Sequence, residues 1–129
     1  MDKIIELKFA EFKKALISFE QILKKPKTVI NRDAAIKRFE YTFELFWKIS
    51  KIILETESLP VYSPKKCFRQ LHNLNILTDL ETELALSMVN DRNLATHTYN
   101  EKLADQLYRR LKKYYMLIQK TSDQMKEYL

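Results

Sequence analysis

From Ile5 the apolar side chains recur at Ile5, Phe9, Phe12, Leu16, Phe19 and Leu23, a 4-3-4-3-4 spacing that lays one stripe along a helix. That helix is predicted to end near Lys24 and Lys25, because Pro26 pushes its predecessor out of the α region. Asn31 reads as the N-cap of a second helix, with Asp33 near the positive end of its dipole. Its stripe is Ile36, Phe39, Phe43, Phe46, Ser50 and Ile53, and it should run to about Glu57 as the centre of the core. Beyond the connector SLPVYSP, Ser63 and Pro64 read as N-cap and N1 of a short helix carrying Cys67, Phe68, Leu71 and Leu74. Thr78 and Glu81 form a capping box for another, with Leu80, Leu84, Met88 and Leu94 or Ala95 inward. Asn100 caps a last helix, to about Tyr128, whose stripe is Leu107, Leu111, Tyr114, Ile118, Thr121 and Met125. Three long helices and two short ones predict an all-α, antiparallel up-and-down bundle, four-helix-bundle-like with one arm broken.

Composition narrows this further. At 129 residues the chain has room for one domain, 1–129, and an ordinary fold of this mass exposes roughly 7,200 Å². It contains no glycine. Phosphate-cradling loops, dinucleotide turns and nucleophile elbows need the backbone freedom glycine supplies, so their usual forms are excluded. A nucleotidyltransferase active site, whose nucleotide-binding turn opens with a Gly-Ser pair, is likewise not expected in this chain. Cys67 is the single cysteine, so no disulfide can form within the chain. No apolar run approaches the roughly 18 residues that cross a bilayer, and the charged start MDKIIELKFAEFKK lacks a signal-peptide h-region. The expectation is a soluble cytoplasmic protein without membrane association.

Charge is unevenly spread over a formal net of +6. Residues 79–91 hold four acids (Asp79, Glu81, Glu83, Asp91) and no base. Lys24, Lys25 and Lys27, then Lys65 and Lys66, then Arg109, Arg110, Lys112 and Lys113 form basic clusters. These read either as solvated helix faces or as a positive surface for RNA or an acidic protein.

Polar groups crowd in one place, the segment Asp91-Arg92-Asn93-Leu94-Ala95-Thr96-His97-Thr98-Tyr99-Asn100-Glu101. Its pattern R-x4-H-x-Y suits a phosphodiester. His97 can exchange protons near neutrality, and Arg92 can hold a phosphate by two parallel hydrogen bonds. Asn93 adds a hydrogen bond, and Tyr99 offers a hydroxyl to orient a substrate or to be modified itself. The same residues also admit a structural role, with Arg92 and His97 satisfying open helix-end carbonyls, Asp91 pairing with Arg92 and Tyr99 packing as a lid. Glu40 and Glu44 share one face of the second helix, close to Trp47, as a surface ladder or a buried network. His72 reads as structural. Two His and one Cys cannot assemble a closed zinc site, so no metal site is expected.

Three blocks resemble a known family in order: Lys37-Arg-Phe-Glu-Tyr-Thr-Phe-Glu-Leu-Phe-Trp-Lys48, Ser63-Pro64-Lys-Lys-Cys-Phe-Arg69, and Asp91 through Glu101. They are similar to the nucleotidyltransferase substrate-binding protein family, a branch of the HEPN-type helical domains related to the HepT toxins. The resemblance implies a five-helix bundle that forms a homodimer. It also implies a separate minimal nucleotidyltransferase, often encoded next door, as partner. ATP and Mg would belong to that partner, leaving this chain without a cofactor. In HepT-like relatives the R-x4-6-H motif is a metal-independent RNase site, and the Tyr of H-x-Y is adenylylated by the partner, which silences the toxin. Arg92, His97 and Tyr99 fall on those positions.

The leading expectation is therefore an interaction subunit in a toxin–antitoxin-like pair, with Asp91, Glu40, Glu44 and Trp47 supporting the loop. The alternatives are an RNase using Arg92 and His97, and a plain basic nucleic-acid-binding bundle. All rest on Arg92, His97 and Tyr99 facing one common hollow.

Overall fold

The computed structural model describes residues 2–129. Five α-helices carry the chain: α1 (Lys3–Leu23), α2 (Val29–Thr56), α3 (Pro64–Asn73), α4 (Asp79–Leu94) and α5 (Glu101–Met125). A 3₁₀ turn at Ala95–His97 extends α4, and another at Lys126–Tyr128 follows α5. No strand occurs among the described residues, so the chain is an all-α bundle. No helix among them is long and apolar enough to cross a membrane. The exposed surface, 7464 Å², is that of an ordinary folded monomer of this size.

Directions follow from which residues meet. The α1–α2 contacts Phe12–Phe46, Thr42 to the Ala15 carbonyl and Phe19–Phe39 run in opposite senses, so this hairpin is antiparallel. Arg32–Asp105, Phe39–Tyr114 and Ser50–Met125 advance together, so α2 and α5 are parallel and meet across the core. Asp91–Arg110 and Glu81–Lys120 make α4 and α5 antiparallel. Up-down-up-down order with α2 and α5 on the diagonal accounts for all three, with α3 packed on α2 and α4.

The core stripe of α2 is as read from the periodicity: Ile36, Phe39, Phe43, Phe46, Ser50 and Ile53 are all buried. So is the α5 stripe from Leu107 to Met125. Phe46 stacks on Phe12 and on Phe68 of α3, and Phe39 stacks on Tyr114 of α5, so α2 is the element on which α1, α3 and α5 all pack. Ser50 and Thr121 hide their hydroxyls by donating to the carbonyls four residues back, at Phe46 and Leu117.

Several details differ from the sequence expectation. Helix α2 starts three residues early because Thr28, not Asn31, is its N-cap: Thr28 Oγ1 accepts from the Asn31 N–H at 3.0 Å. The Asn31 amide instead donates to the Pro26 carbonyl at 2.9 Å. Asp33 pairs with Arg32 at 3.0 Å rather than serving only the dipole. In α1 the C-terminal core position is Ile22, with Leu23 half-buried. Leu80 is 77% exposed, because α4 turns Ala85, Met88 and Asp91 inward and packs Leu84 and Val89 partly. Asp91 to Leu94 belong to the last turn of α4, not to a loop.

The caps at Ser63, Thr78 and Asn100 stand as read, including the reciprocal Thr78–Glu81 box. Without glycine, two helix ends use left-handed residues that carry a side chain: Ser58 (φ 60°) and Asn75 (φ 62°). Each lets the next N–H fold back five residues, Leu59 to Leu54 O and Ile76 to Leu71 O.

Candidate functional site

The polar segment straddles the junction of α4 and α5, and three separate networks organise it. Asp91, 7% exposed, faces α5. Its carboxylate accepts from Arg110 Nε at 2.6 Å and Nη2 at 2.9 Å, and from the buried Tyr114 hydroxyl. Burial, then the adjoining carboxylate, push the Tyr114 phenol well above its usual range, while Asp91 raises Arg110. This cluster fixes the end of α4 to the middle of α5. Asp91 therefore pairs with Arg110 rather than with its neighbour Arg92.

Arg92 turns to the opposite side and meets α2. Its Nε donates to Glu44 Oε1 at 3.3 Å, and the other Glu44 oxygen accepts from Trp47 Nε1 at 3.3 Å. Glu44 and Trp47 thus reach the segment from the facing helix. Glu40, one turn earlier and half-buried, makes no hydrogen bond or ion pair to it.

The third group sits on the 3₁₀ turn. Leu94 and Ala95 continue the α4 spiral, and burial of Ala95 leaves His97 pointing outward. His97 Nδ1 and the Tyr99 hydroxyl are 2.8 Å apart, with the rings edge-on at 77°. Tyr99 is 79% exposed. The His97 carbonyl accepts from Asn100 N, and the Asn100 side chain caps α5 through Leu103 N at 3.1 Å, so the turn is tied into the helix that follows. Asn93 is exposed nearby in sequence, its carbonyl accepting from Thr96 Oγ1.

The common hollow expected for Arg92, His97 and Tyr99 gives way to two pairs, so any acceptor chemistry rests on His97 and Tyr99 without Arg92. His97 and Tyr99 are hydrogen-bonded to each other, while Arg92 is ion-paired to Glu44. A solvent-facing phenol whose oxygen touches an imidazole is equipped for one reaction class in particular. The oxygen can attack an electrophile as the ring nitrogen takes its proton.

Sequence reasoning missed a further network beside the turn. Arg32 is 2% exposed, and its Nη1 donates to Glu101 Oε2 at 2.6 Å and to Asp105 Oδ1 at 3.1 Å. Lys27 adds a second cation on Asp105 at 3.2 Å. Hydrogen bonds from Arg32 hold the Glu101 and Asp105 carboxyls below the ordinary range. Glu101 is the first residue of α5, two after Tyr99, so this clamp anchors the far side of the turn. The only local hint was the Asn31-Arg32-Asp33 run, because the decisive partners lie 69 and 73 positions away.

Other candidates are used up elsewhere. His72 Nε2 lies 2.6 Å from Asp79 Oδ1, pinning the α3–α4 corner. Burial pushes the Cys67 thiol up to about 12, which removes it as a nucleophile. No group of three metal-ligating side chains comes together among the described residues.

The chain belongs to the nucleotidyltransferase substrate binding protein like family, which it matches over residues 7–127. It is also similar to the crystal structure of ttk003001694 from Thermus thermophilus, with a TM-score of 0.83 and 43% identity. That match covers 88% of this chain and 98% of the other. No curated protein matches the chain.

Proposed function

We propose that this chain is the substrate-binding and interaction subunit of a two-component system. As a homodimer it pairs with a separate minimal nucleotidyltransferase and presents Tyr99 to that enzyme's active site. The observation that carries the reading is the exposed Tyr99 hydroxyl held 2.8 Å from His97 Nδ1. The family's name, which couples substrate binding to a nucleotidyltransferase, supports the choice of partner.

In the proposed step Tyr99 Oη attacks the α-phosphorus of ATP bound with Mg in the partner. A new phosphorus–oxygen bond forms, the bond from the α-phosphorus to the bridging oxygen breaks, and pyrophosphate leaves. The phenolic proton passes to His97 Nδ1. Base assistance of this kind is worth about 100-fold or more in rate. An RNase would require Arg92 to grip a phosphate, and the Glu44 pair at 3.3 Å already offsets that charge. The acceptor reading is the better supported of the two. The toxin–antitoxin-like setting belongs to the same proposal, with Tyr99 modification as the regulatory event.

Co-expression with the nucleotidyltransferase encoded beside it, followed by peptide mass spectrometry, tests the reading. One adenylyl adduct is expected on the Tyr99 peptide, none in Tyr99→Phe, and a slowing of about 100-fold in His97→Ala. Absence of both complex and adduct, or metal-independent RNA cleavage by the isolated chain that His97→Ala abolishes, would overturn it.

A further inference from the structure

The outward face of α5 begins three residues after Tyr99 and has its own pattern. Lys102, Gln106, Arg109, Lys113, Met116 and Lys120 fall at a 4-3-4-3-4 spacing, opposite the buried stripe. Lys102, Arg109, Lys113 and Met116 are exposed, and Lys112 flanks the row. Among the described residues Lys120 pairs with Glu81, whereas Lys102, Arg109, Lys112 and Lys113 have no carboxylate within ion-pair distance. Four unpaired like charges along one helix repel one another, and a negative surface laid over them would relieve that repulsion.

Geometry ties this row to Tyr99. An enzyme acting on Tyr99 must cover the surface around it, and an interface of ordinary size buries about 800 Å² per partner, a patch roughly 32 Å across. At about 1.5 Å per residue, Arg109 lies roughly 12 Å and Lys113 roughly 18 Å along α5 from Glu101. Such a patch over Tyr99 and α5 takes in the cations. It also reaches a shallow, mainly apolar groove between α4 and α5, lined by Leu84, Met116 and Leu117 and bordered by Lys113 and by the Glu81–Lys120 pair. Met116 is 60% exposed there.

An apolar centre inside a charged rim is the anatomy of a protein interface. Single-stranded RNA would instead call for aromatic side chains between the cations, and the row contains none. The geometry points to this α5 face as the docking surface for an acidic, apolar-centred face of the nucleotidyltransferase, a proposal that rests on the function proposed above. The cations steer the encounter, and Met116 and Leu84 supply the desolvated anchor.

Calorimetric titration of the intact chain with the neighbouring-gene nucleotidyltransferase, at low and at raised salt, tests it. Arg109→Glu combined with Lys113→Glu should weaken binding by about tenfold or more and flatten its salt dependence. Lys3→Glu with Lys8→Glu makes the same change in net charge on the exposed start of α1 and should stay within about threefold. Met116→Asp, at an exposed site, should weaken binding about tenfold with an unchanged melting midpoint. If the α5 and α1 charge reversals act equally, or if the α5 pair abolishes oligouridylate binding while sparing the enzyme, the docking assignment is overturned. If the unaltered chain binds no nucleotidyltransferase, the functional reading falls and takes this one with it.

Discussion

Two tyrosines, Tyr99 in the α4–α5 junction and Tyr114 in the middle of α5, carry the same phenol into opposite surroundings. Tyr114 is fully buried and donates to Asp91, which Arg110 also grips from α5. Burial and a neighbouring carboxylate hold its proton in place, so the group ties helices together and is useless as a nucleophile. Tyr99 is almost wholly exposed, and its hydroxyl touches an imidazole instead of an anion. Water and a reactant can reach it, and His97 can accept the proton. The contrast sets a sealed phenol against an open one. Residue type alone does not decide which phenol a reactant can reach; burial and the partner atom do.

The largest effect should come from removing the sealed side of the comparison. Asp91→Ala strands the Arg110 charge and the Tyr114 hydroxyl, and should cost about 3 kcal/mol in urea unfolding. Tyr99→Phe, on the open side, should change stability by less than about 0.5 kcal/mol. Comparable losses in the two variants would show that the Tyr99 turn is part of the structural frame.

A second contrast lies in pH. Arg32 depresses the Glu101 and Asp105 carboxyls, so their contribution to stability is present above the ordinary carboxylate range, about pH 4. It is lost as pH falls through the depressed values, where the folded state finally takes up the protons. Urea midpoints measured from pH 6 down to pH 2 should therefore drop, and Glu101→Gln should flatten its share of the drop. An unchanged acid limb in Glu101→Gln would remove Arg32 as the clamp on the start of α5.

The smallest effect concerns a turn far from either tyrosine. Ser58 holds a left-handed conformation that glycine adopts freely, so Ser58→Gly should stabilise by about 0.5 kcal/mol. A destabilisation would mean that the Ser58 side chain compensates for its backbone strain.

What the sequence disclosed was governed by range. The α2 and α5 stripes, the Ser63-Pro64 start and the Thr78–Glu81 box depend on neighbours within a turn or two, and they appear as read. Thr28 and Asn31 are both competent caps three residues apart, and only the path of the chain after Pro26 selects the first. Leu80 looked like a core residue because periodicity reports a face but not how far along the helix packing extends. At the site, R-x4-H-x-Y picked out the segment where His97 meets Tyr99, and the α2 block contains Glu44 and Trp47, of which Glu44 meets Arg92. The division into an Arg92–Glu44 pair and a His97–Tyr99 pair was not legible, nor was the burial of Asp91 against Arg110. Those depend on where α2 and α5 lie against the end of α4, which no local pattern encodes.

The most direct measurement is peptide mass spectrometry of the chain after incubation with the proposed minimal nucleotidyltransferase partner, ATP and Mg, with Tyr99→Phe and Tyr114→Phe in parallel. One adenylyl group is expected on Tyr99 in the unaltered chain and in Tyr114→Phe, and none in Tyr99→Phe. An adduct that persists in Tyr99→Phe, or its absence from the unaltered chain in an assembled complex, would contradict the assignment of Tyr99 as the acceptor.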